Sequence, residues 1–205
     1  VIGKPLIGHK DFITSIDFSR DGELLVTSSN DKTVRIWDVN KQQQILKPLE
    51  HLEAVTKVCF SPNRKILASA CQDLIQLWNA SDLPQTIQLL GSIKTGSPCT
   101  TFHLDNQLLV SGGKDNIIRL WDIEKQQLRS NPLCGHTREI TYVAMNPDNN
   151  LLISSSTDST IRIWDVGDQP LNIPTNNIAN DESRNTLSPD GTLLARINSN
   201  GIIGL

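Results

Sequence analysis

No apolar run in the chain reaches the ~18 residues that a membrane-crossing helix needs, so no membrane span is expected. No signal-peptide pattern opens the sequence, although Val1 is not an initiator methionine. Cysteine is scarce. Cys59, Cys71, Cys99 and Cys134 stand 12, 28 and 35 residues apart, a spacing that fits neither a CxxC metal pair nor a dense disulfide framework. Free thiols in a reducing compartment follow, and with them the expectation of a soluble, cytoplasmic protein that holds no metal and no cofactor. Neither sign of charge dominates: Lys plus Arg number 19 against 22 for Asp plus Glu, and no run of five or more like charges occurs. Binding led by a nucleic-acid backbone needs a concentrated basic face, so no nucleic-acid partner is expected. Aromatic residues are 4% of the chain and methionine occurs once, which by themselves discriminate little.

Repetition is what the chain does have. The stretch Leu24 to Asp38, LLVTSSNDKTVRIWD, has three later echoes. Asp31, Asp73, Asp115 and Asp158 follow one another at 42, 42 and 43 residues, and Trp37, Trp78, Trp121 and Trp164 at 41, 43 and 43. His9, His51 and His136 each precede an Asp of that series by 22 residues. A period near forty is the mark of a repeat array, which is counted in units and not by length.

Each unit reads as four short strands. In the first, Ile13 to Phe18 alternates, Ser19-Arg20-Asp21-Gly22 turns, Leu24 to Ser28 forms a second strand, and Asn30-Asp31-Lys32 turns again. Thr33 to Trp37 is the third strand, and Gln43 to Leu46 an outer fourth. The second unit follows with Val55 to Phe60, Ile66 to Ala70 and Ile75 to Trp78. The turn after Asp73 has lost a residue, which predicts a tighter hairpin there. The fourth unit, Ile140 to Met145, Leu151 to Ser155 and Thr160 to Trp164, is the most regular. The third has Ile93 at the histidine position and a weak first strand, Ser97 to Phe102, so its edge should be looser. A fifth is eroded: Leu187-Ser188-Pro189-Asp190-Gly191 matches Phe18 to Gly22, but Ile178, Arg196 and Asn200 stand at the histidine, hydroxyl and aspartate positions. The polar segment Asn172 to Asn185 reads as a long loop with one short strand, or as a flexible partner-binding arm.

The units end in Ile36-Trp37-Asp38, Leu77-Trp78-Asn79, Leu120-Trp121-Asp122 and Ile163-Trp164-Asp165, and open on Gly8-His9, a degenerate Glu50-His51 and Gly135-His136. In these residues the chain resembles, over nearly its whole length, the WD-repeat (Trp-Asp repeat) β-propellers. The resemblance implies an all-β fold of four-stranded antiparallel blades, about five of them visible. Approximate units are 7–49, 50–90, 91–133, 134–171 and 172–205, with 1–6 as an outer strand, since Pro-Leu precedes the histidine position at Pro5-Leu6, Pro48-Leu49 and Pro132-Leu133. Beginning on a fourth strand and ending on a third is the phase needed to close five blades and hide their edges. The missing initiator and the finish at Leu205 fit equally an excerpt from a larger propeller.

A hydroxyl, an imidazole and a carboxylate recur together: His9, Thr27, Asp31 and Trp37; His51, Ser69, Asp73 and Trp78; His136, Ser154, Asp158 and Trp164. Ser111, Asp115 and Trp121 keep part of the set. The types suggest a hydrolase triad. A set repeated in every well-kept unit, without a GxSxG elbow, reads as structural. The resemblance implies a network within each blade, and the donor inventory allows it: Trp N–H to hydroxyl, hydroxyl to imidazole, imidazole N–H to carboxylate. His103, at a turn, reads as a solvated side chain. Gly112-Gly113-Lys114 reads as a hairpin turn and not a phosphate loop, because it lacks the following helix.

No titratable cluster converges, so the expected function is a non-enzymatic scaffold that holds proteins or peptides. The resemblance places the docking face on the loops after the Gly-His pairs and the turns around the Asp. That maps to Lys10, Phe12, Asn30 and Lys32; Ala54 and Gln72; Lys114 and Asn116; and Arg138, Glu139 and Thr157. Phe12 is either an exposed anchor or tucked beneath its neighbour. The alternative is a sensor or regulatory module of a longer signalling protein, its partner another domain of the same chain carrying nucleotide-binding or kinase activity.

Overall fold

The computed structural model describes residues 3–96, 99–103, 106–146 and 151–166, together with the backbone of three short strands at 184–187, 194–197 and 203–204. Among them are nineteen strands and no helix. The first sheet runs in chain order: β1 (Ile13–Phe18), β2 (Leu24–Ser29), β3 (Thr33–Asp38) and β4 (Gln43–Glu50), antiparallel throughout. The second repeats it with β5 (Lys57–Phe60), β6 (Ile66–Cys71), β7 (Leu74–Asn79) and β8 (Gln88–Lys94).

The third sheet has β9 (Cys99–Phe102), β10 (Leu108–Gly112) and β11 (Ile117–Asp122), and its outer edge comes in two pieces, β12 (Gln127–Leu128) and β13 (Leu133–Cys134). In the fourth, β14 (Ile140–Met145), β15 (Leu151–Ser156) and β16 (Ile161–Asp165) are described. The last sheet holds β17 (Arg184–Leu187), β18 (Leu194–Ile197) and β19 (Ile203–Gly204).

The turns explain why the strands end where they do. Between β1 and β2, Ser19 Oγ donates to Asp21 Oδ1 at 2.5 Å and accepts the Leu24 N–H at 3.0 Å, while Gly22 takes φ +72°. Ser61 and Asn63 repeat this with Oγ to Oδ1 at 2.8 Å, but there Arg64 occupies the left-handed position at φ 60°. An arginine is disfavoured in that conformation. It is held by its reach to the preceding sheet, where the guanidinium pairs with Asp21 and with Glu23 at 3.1 Å.

The core lies between the sheets and not within any one of them. Leu24, Val26, Val34 and Ile36 of the first sheet pack against Val58, Phe60, Leu67 and Trp78 of the second. Ala68, Ala70, Ile75 and Leu77 meet Phe102, Leu109 and Trp121, and Val110, Ile118 and Leu120 meet Ile140, Val143 and Leu152. Alternation gives each of the first three sheets an aliphatic face, and that face covers the tryptophan face of the next sheet, at Trp78, Trp121 and Trp164.

Several expectations change. The outer strand predicted at Gln43 to Leu46 continues to Glu50, with a register shift between Val34 and Ile36 that absorbs Leu46 to Pro48. Pro48 lacks the N–H a regular ladder requires, so the bulge falls beside it. Residues 4–9 form no strand: the Lys4 N–H bonds the Gln42 side chain at 3.2 Å, tying this segment to the first sheet. In the second sheet β8 reaches Lys94, past the expected unit end at 90. Ser97 and Pro98 of the expected first strand of unit three, Ile178, Asn200 and most of Asn172 to Asn185 lie outside the described residues.

Candidate functional site

Two sheets build the same four-membered relay. In the first, Trp37 Nε1 donates to Thr27 Oγ1 at 2.9 Å, Thr27 Oγ1 lies 2.7 Å from His9 Nε2, and His9 Nδ1 lies 2.9 Å from Asp31 Oδ2. In the fourth, Trp164, Ser154, His136 and Asp158 are linked at 2.8, 2.8 and 2.9 Å. Because the indole N–H fills one lone pair of the hydroxyl, the hydroxyl proton goes to Nε2, and the imidazole carries its own proton on Nδ1. Indole and imidazole meet nearly edge-on, 6.5 and 6.2 Å apart.

The carboxylate is the most heavily bonded member. Asp31 also accepts the Lys10 N–H at 2.9 Å, the Thr33 N–H at 3.0 Å and the Thr33 hydroxyl at 2.6 Å. Thr137 and Thr160 repeat those bonds on Asp158. Burial by itself would raise these carboxyls, but the combined bonds from Thr33, Lys10 and His9, and from their counterparts, hold both well below the ordinary range. The threonine two residues after the Asp escaped the sequence reading, although its recurrence was visible at Thr33 and Thr160.

The second sheet departs from the expected set. Trp78 Nε1 reaches Ser69 Oγ at 2.9 Å and Ser69 lies 2.8 Å from His51 Nε2, but His51 Nδ1 faces the Leu49 carbonyl at 3.1 Å instead of Asp73. The missing turn residue is the reason. Cys71 pairs directly with Leu74, so Gln72 and Asp73 form a two-residue hairpin with Gln72 at φ 43°, and Asp73 is left on the surface. Desolvation lowers the His51 pKa, opposed by its bond to Leu49.

The third sheet corrects a second expectation. Ile93 does not occupy the histidine position: it pairs with Ile75 in β8 and is buried in the core. The backbone bond that His51 N makes to Lys32 O is made by Thr95 N to Asp73 O, so Thr95 holds the place of the histidine. Counting 22 residues back missed it by two because only 4 residues separate Thr95 from Cys99, where 6 separate His9 from Ser15 at the same register position. Trp121 still reaches Ser111 at 2.8 Å, while Asp115, with no imidazole to receive, pairs with Arg119 two residues before the tryptophan.

That arginine position explains the Gly-His pair. A Cβ on Gly8 would come within 2.7 Å of Arg35 Nη1 and 3.1 Å of the Trp37 ring; on Gly135 it would meet Arg162 and Trp164 at 2.9 and 3.1 Å. Where the pair is degenerate, Glu50-His51, the arginine is replaced by Gln76.

As chemistry, the relays are closed. The side chains of His9 and Asp31 are 4% and 7% accessible, and the hydroxyls are spent between indole and imidazole. Such a set satisfies buried polar groups; it does not present a nucleophile. No group of three or more His, Cys, Asp or Glu among the described residues is placed to hold a metal ion.

The residues named for docking collect at one end of the sheets, where inner strands begin. Asn30 N donates to Phe12 O at 3.0 Å, Lys32 Nζ to Leu52 O at 2.7 Å, and Thr157 N to Glu139 O at 2.9 Å. Phe12 does not tuck beneath a neighbour: it is 80% exposed. Lys10, Asn30, Lys32, Gln72, Lys114, Arg138 and Thr157 are exposed, whereas Ala54, Asn116 and Glu139 are half-buried. Leu52, at 87% exposure, was missed; an apolar residue directly after His51 in a polar loop was the available signal. Gly112 closes β10, and the hairpin turn begins at Gly113-Lys114, closed by Asn116 N to Gly113 O at 3.0 Å.

The family model of the IFT122 first beta-propeller matches residues 1–205. The chain belongs to the WD-repeat β-propeller family. Among curated relatives, the chain is 30% identical over 150 residues to Protein FIZZY-RELATED 3 of Arabidopsis thaliana, covering 69% of this propeller chain and 30% of that protein. It is 31% identical over 124 residues to small ribosomal subunit protein RACK1y of Oryza sativa subsp. japonica, covering 58% and 37%. Of solved structures, the WD40 repeats of RRP9 align with a TM-score of 0.70 at 22% identity, over 78% of this chain and half of that one, which speaks to the fold alone. Thus the chain spans well under half the length of these curated relatives. WD-repeat domains are generally scaffolds that bind proteins or peptides, and this chain shares their architecture.

Proposed function

We propose that this WD-repeat propeller is a non-enzymatic scaffold that docks a protein or peptide on the end of the sheets carrying Phe12. The single observation that carries the reading is the exposure of Phe12 at 80% beside Leu52 at 87%, two apolar side chains in otherwise polar loops. Backbone bonds fasten both loops to the turns around Lys32 and Asn30, so the apolar pair is presented on a rigid base. Lys10, Lys114 and Arg138 are exposed in loops at the same end of their sheets, and Asp11 and Glu53 flank the apolar pair itself, so a partner segment with mixed polar flanks fits. A reducing compartment such as the cytoplasm suits the buried thiols of Cys59, Cys71 and Cys99.

Affinity capture with Phe12→Ala and Lys114→Glu tests this face. Loss of the partners recovered with the unchanged chain is expected for Phe12→Ala, and a weaker, salt-sensitive loss for Lys114→Glu. Unaltered recovery by both variants rejects the face.

A further inference from the structure

The inner strands β1, β5, β9 and β14 lie side by side and line a cavity of about 280 Å³ that takes no part in the relays. Asp17, Lys57, Thr101 and Tyr142 contribute its polar wall, and Phe60 and Phe102 its apolar one. Pro62, in the turn after β5, also lines it, so the cavity reaches the strand ends opposite the Phe12 loops.

The polar groups here are not demanded by the fold. Strand registers place Asp17, Cys59, Thr101 and Ala144 at one repeat position, and Ser15, Lys57, Cys99 and Tyr142 at another. Each charge therefore sits where equivalent sheets manage without one. Asp17 Oδ2 accepts the Phe60 N–H at 2.8 Å. Burial nonetheless pushes its carboxyl above the ordinary range, against that bond and the nearby Lys57 charge. Lys57 and Asp17 feel each other through space yet form no ion pair, and among the described residues the Lys57 ammonium and the Thr101 and Tyr142 hydroxyls have no protein partner. Asp17 and Lys57 therefore present opposite charges to one cavity without pairing with each other.

We propose that this cavity binds a free α-amino acid, with Asp17 taking the ammonium, Lys57 the carboxylate, and the exposed edges of Phe60 and Phe102 bordering its side chain. A zwitterion offers each of the two side chains a group of opposite charge, and both ends form charge-assisted hydrogen bonds. The Thr101 and Tyr142 hydroxyls lie ready to bond the carboxylate. This site is separate from the docking face, and either can fail without the other.

Titration calorimetry on the full chain with L-phenylalanine, N-acetyl-L-phenylalanine and phenethylamine tests the assignment. Saturable binding of phenylalanine is expected, weakened about tenfold or more when either charge is absent from the ligand. Asp17→Asn keeps an acceptor for the Phe60 N–H and should lose the preference for phenylalanine over its N-acetyl form. Lys57→Met should lose the preference over phenethylamine, and Phe12→Ala should change neither. No saturable heat at about 10 mM phenylalanine overturns the proposal. Equal binding of the N-acetyl form reveals an anion site only and overturns it too, as does unchanged binding in both cavity variants.

Discussion

His51 Nδ1 lies 3.1 Å from the carbonyl oxygen of Leu49, whereas His9 and His136 hold the carboxylates of Asp31 and Asp158 at 2.9 Å. One residue missing from one hairpin is enough to exchange the partner. The three histidines are therefore unequal, and the carboxylates they were expected to bind should differ in their effect on stability.

Asp31→Ala strands the His9 Nδ1–H and the Lys10 and Thr33 amides, so it is expected to cost about 1 to 3 kcal/mol. Asp158→Ala should match it. Asp73 is exposed, and its replacement by alanine should stay within about 0.5 kcal/mol of the parent. Urea unfolding at neutral pH separates the cases, since a midpoint shift for Asp73→Ala as large as for Asp31→Ala contradicts the relay geometry.

The same carboxylates set an acid dependence. Their folded pKa values are depressed below the ordinary 3.8, so folding binds them as anions and the unfolded chain binds protons first. Their contribution is complete above the unfolded value and is lost as pH falls through and below it toward the folded one. The melting-temperature gap between the parent and Asp31→Ala should be constant from pH 7 to about 5 and narrow below about 4. A gap that widens on acidification reverses the sign and refutes the assignment. His51, lowered by desolvation, adds a loss of stability as pH falls through its unfolded value of 6.5, which His51→Gln should remove.

Gly8→Ala places a methyl against Arg35 and the Trp37 ring, and overpacking of this kind costs about 1 to 3 kcal/mol. Combined with Arg35→Gln, the pairing that Glu50 and Gln76 already display, part of the cost should return. A double-mutant cycle by thermal melting reads the coupling. Strict additivity would show that arginine is not what excludes the side chain.

Thr95 is the histidine substitute in the third sheet, and its hydroxyl is buried without a partner among the described residues. Thr95→Val replaces a stranded polar group with an isosteric apolar one, so the variant should be as stable as the parent or more so. A clear drop in melting temperature would mean that the hydroxyl has a partner after all.

Much of this architecture was legible beforehand. Asp and Trp at a steady period, alternation in Ile13 to Phe18, and turn residues at Ser19 to Gly22 located strands that the structure contains. Each of those signals is local, set by side-chain direction along a strand or by one residue's access to left-handed backbone. Long-range positions were less accessible: Thr95 was hidden by a connection to the inner strand two residues shorter than its counterparts, and Asp73 kept its spacing while losing its direction.

The sequence by itself determined the repeat, the strand order within each unit and the polar set available to rivet it, because these depend on residue types at short separations. Only the tertiary structure decided which rivets close, that Phe12 and Leu52 face outward together, and that Asp17 and Lys57, from different sheets, look into one cavity. Those outcomes follow from how neighbouring sheets stack, and stacking is fixed by shape across residues some forty positions apart, not by the pattern along any one strand.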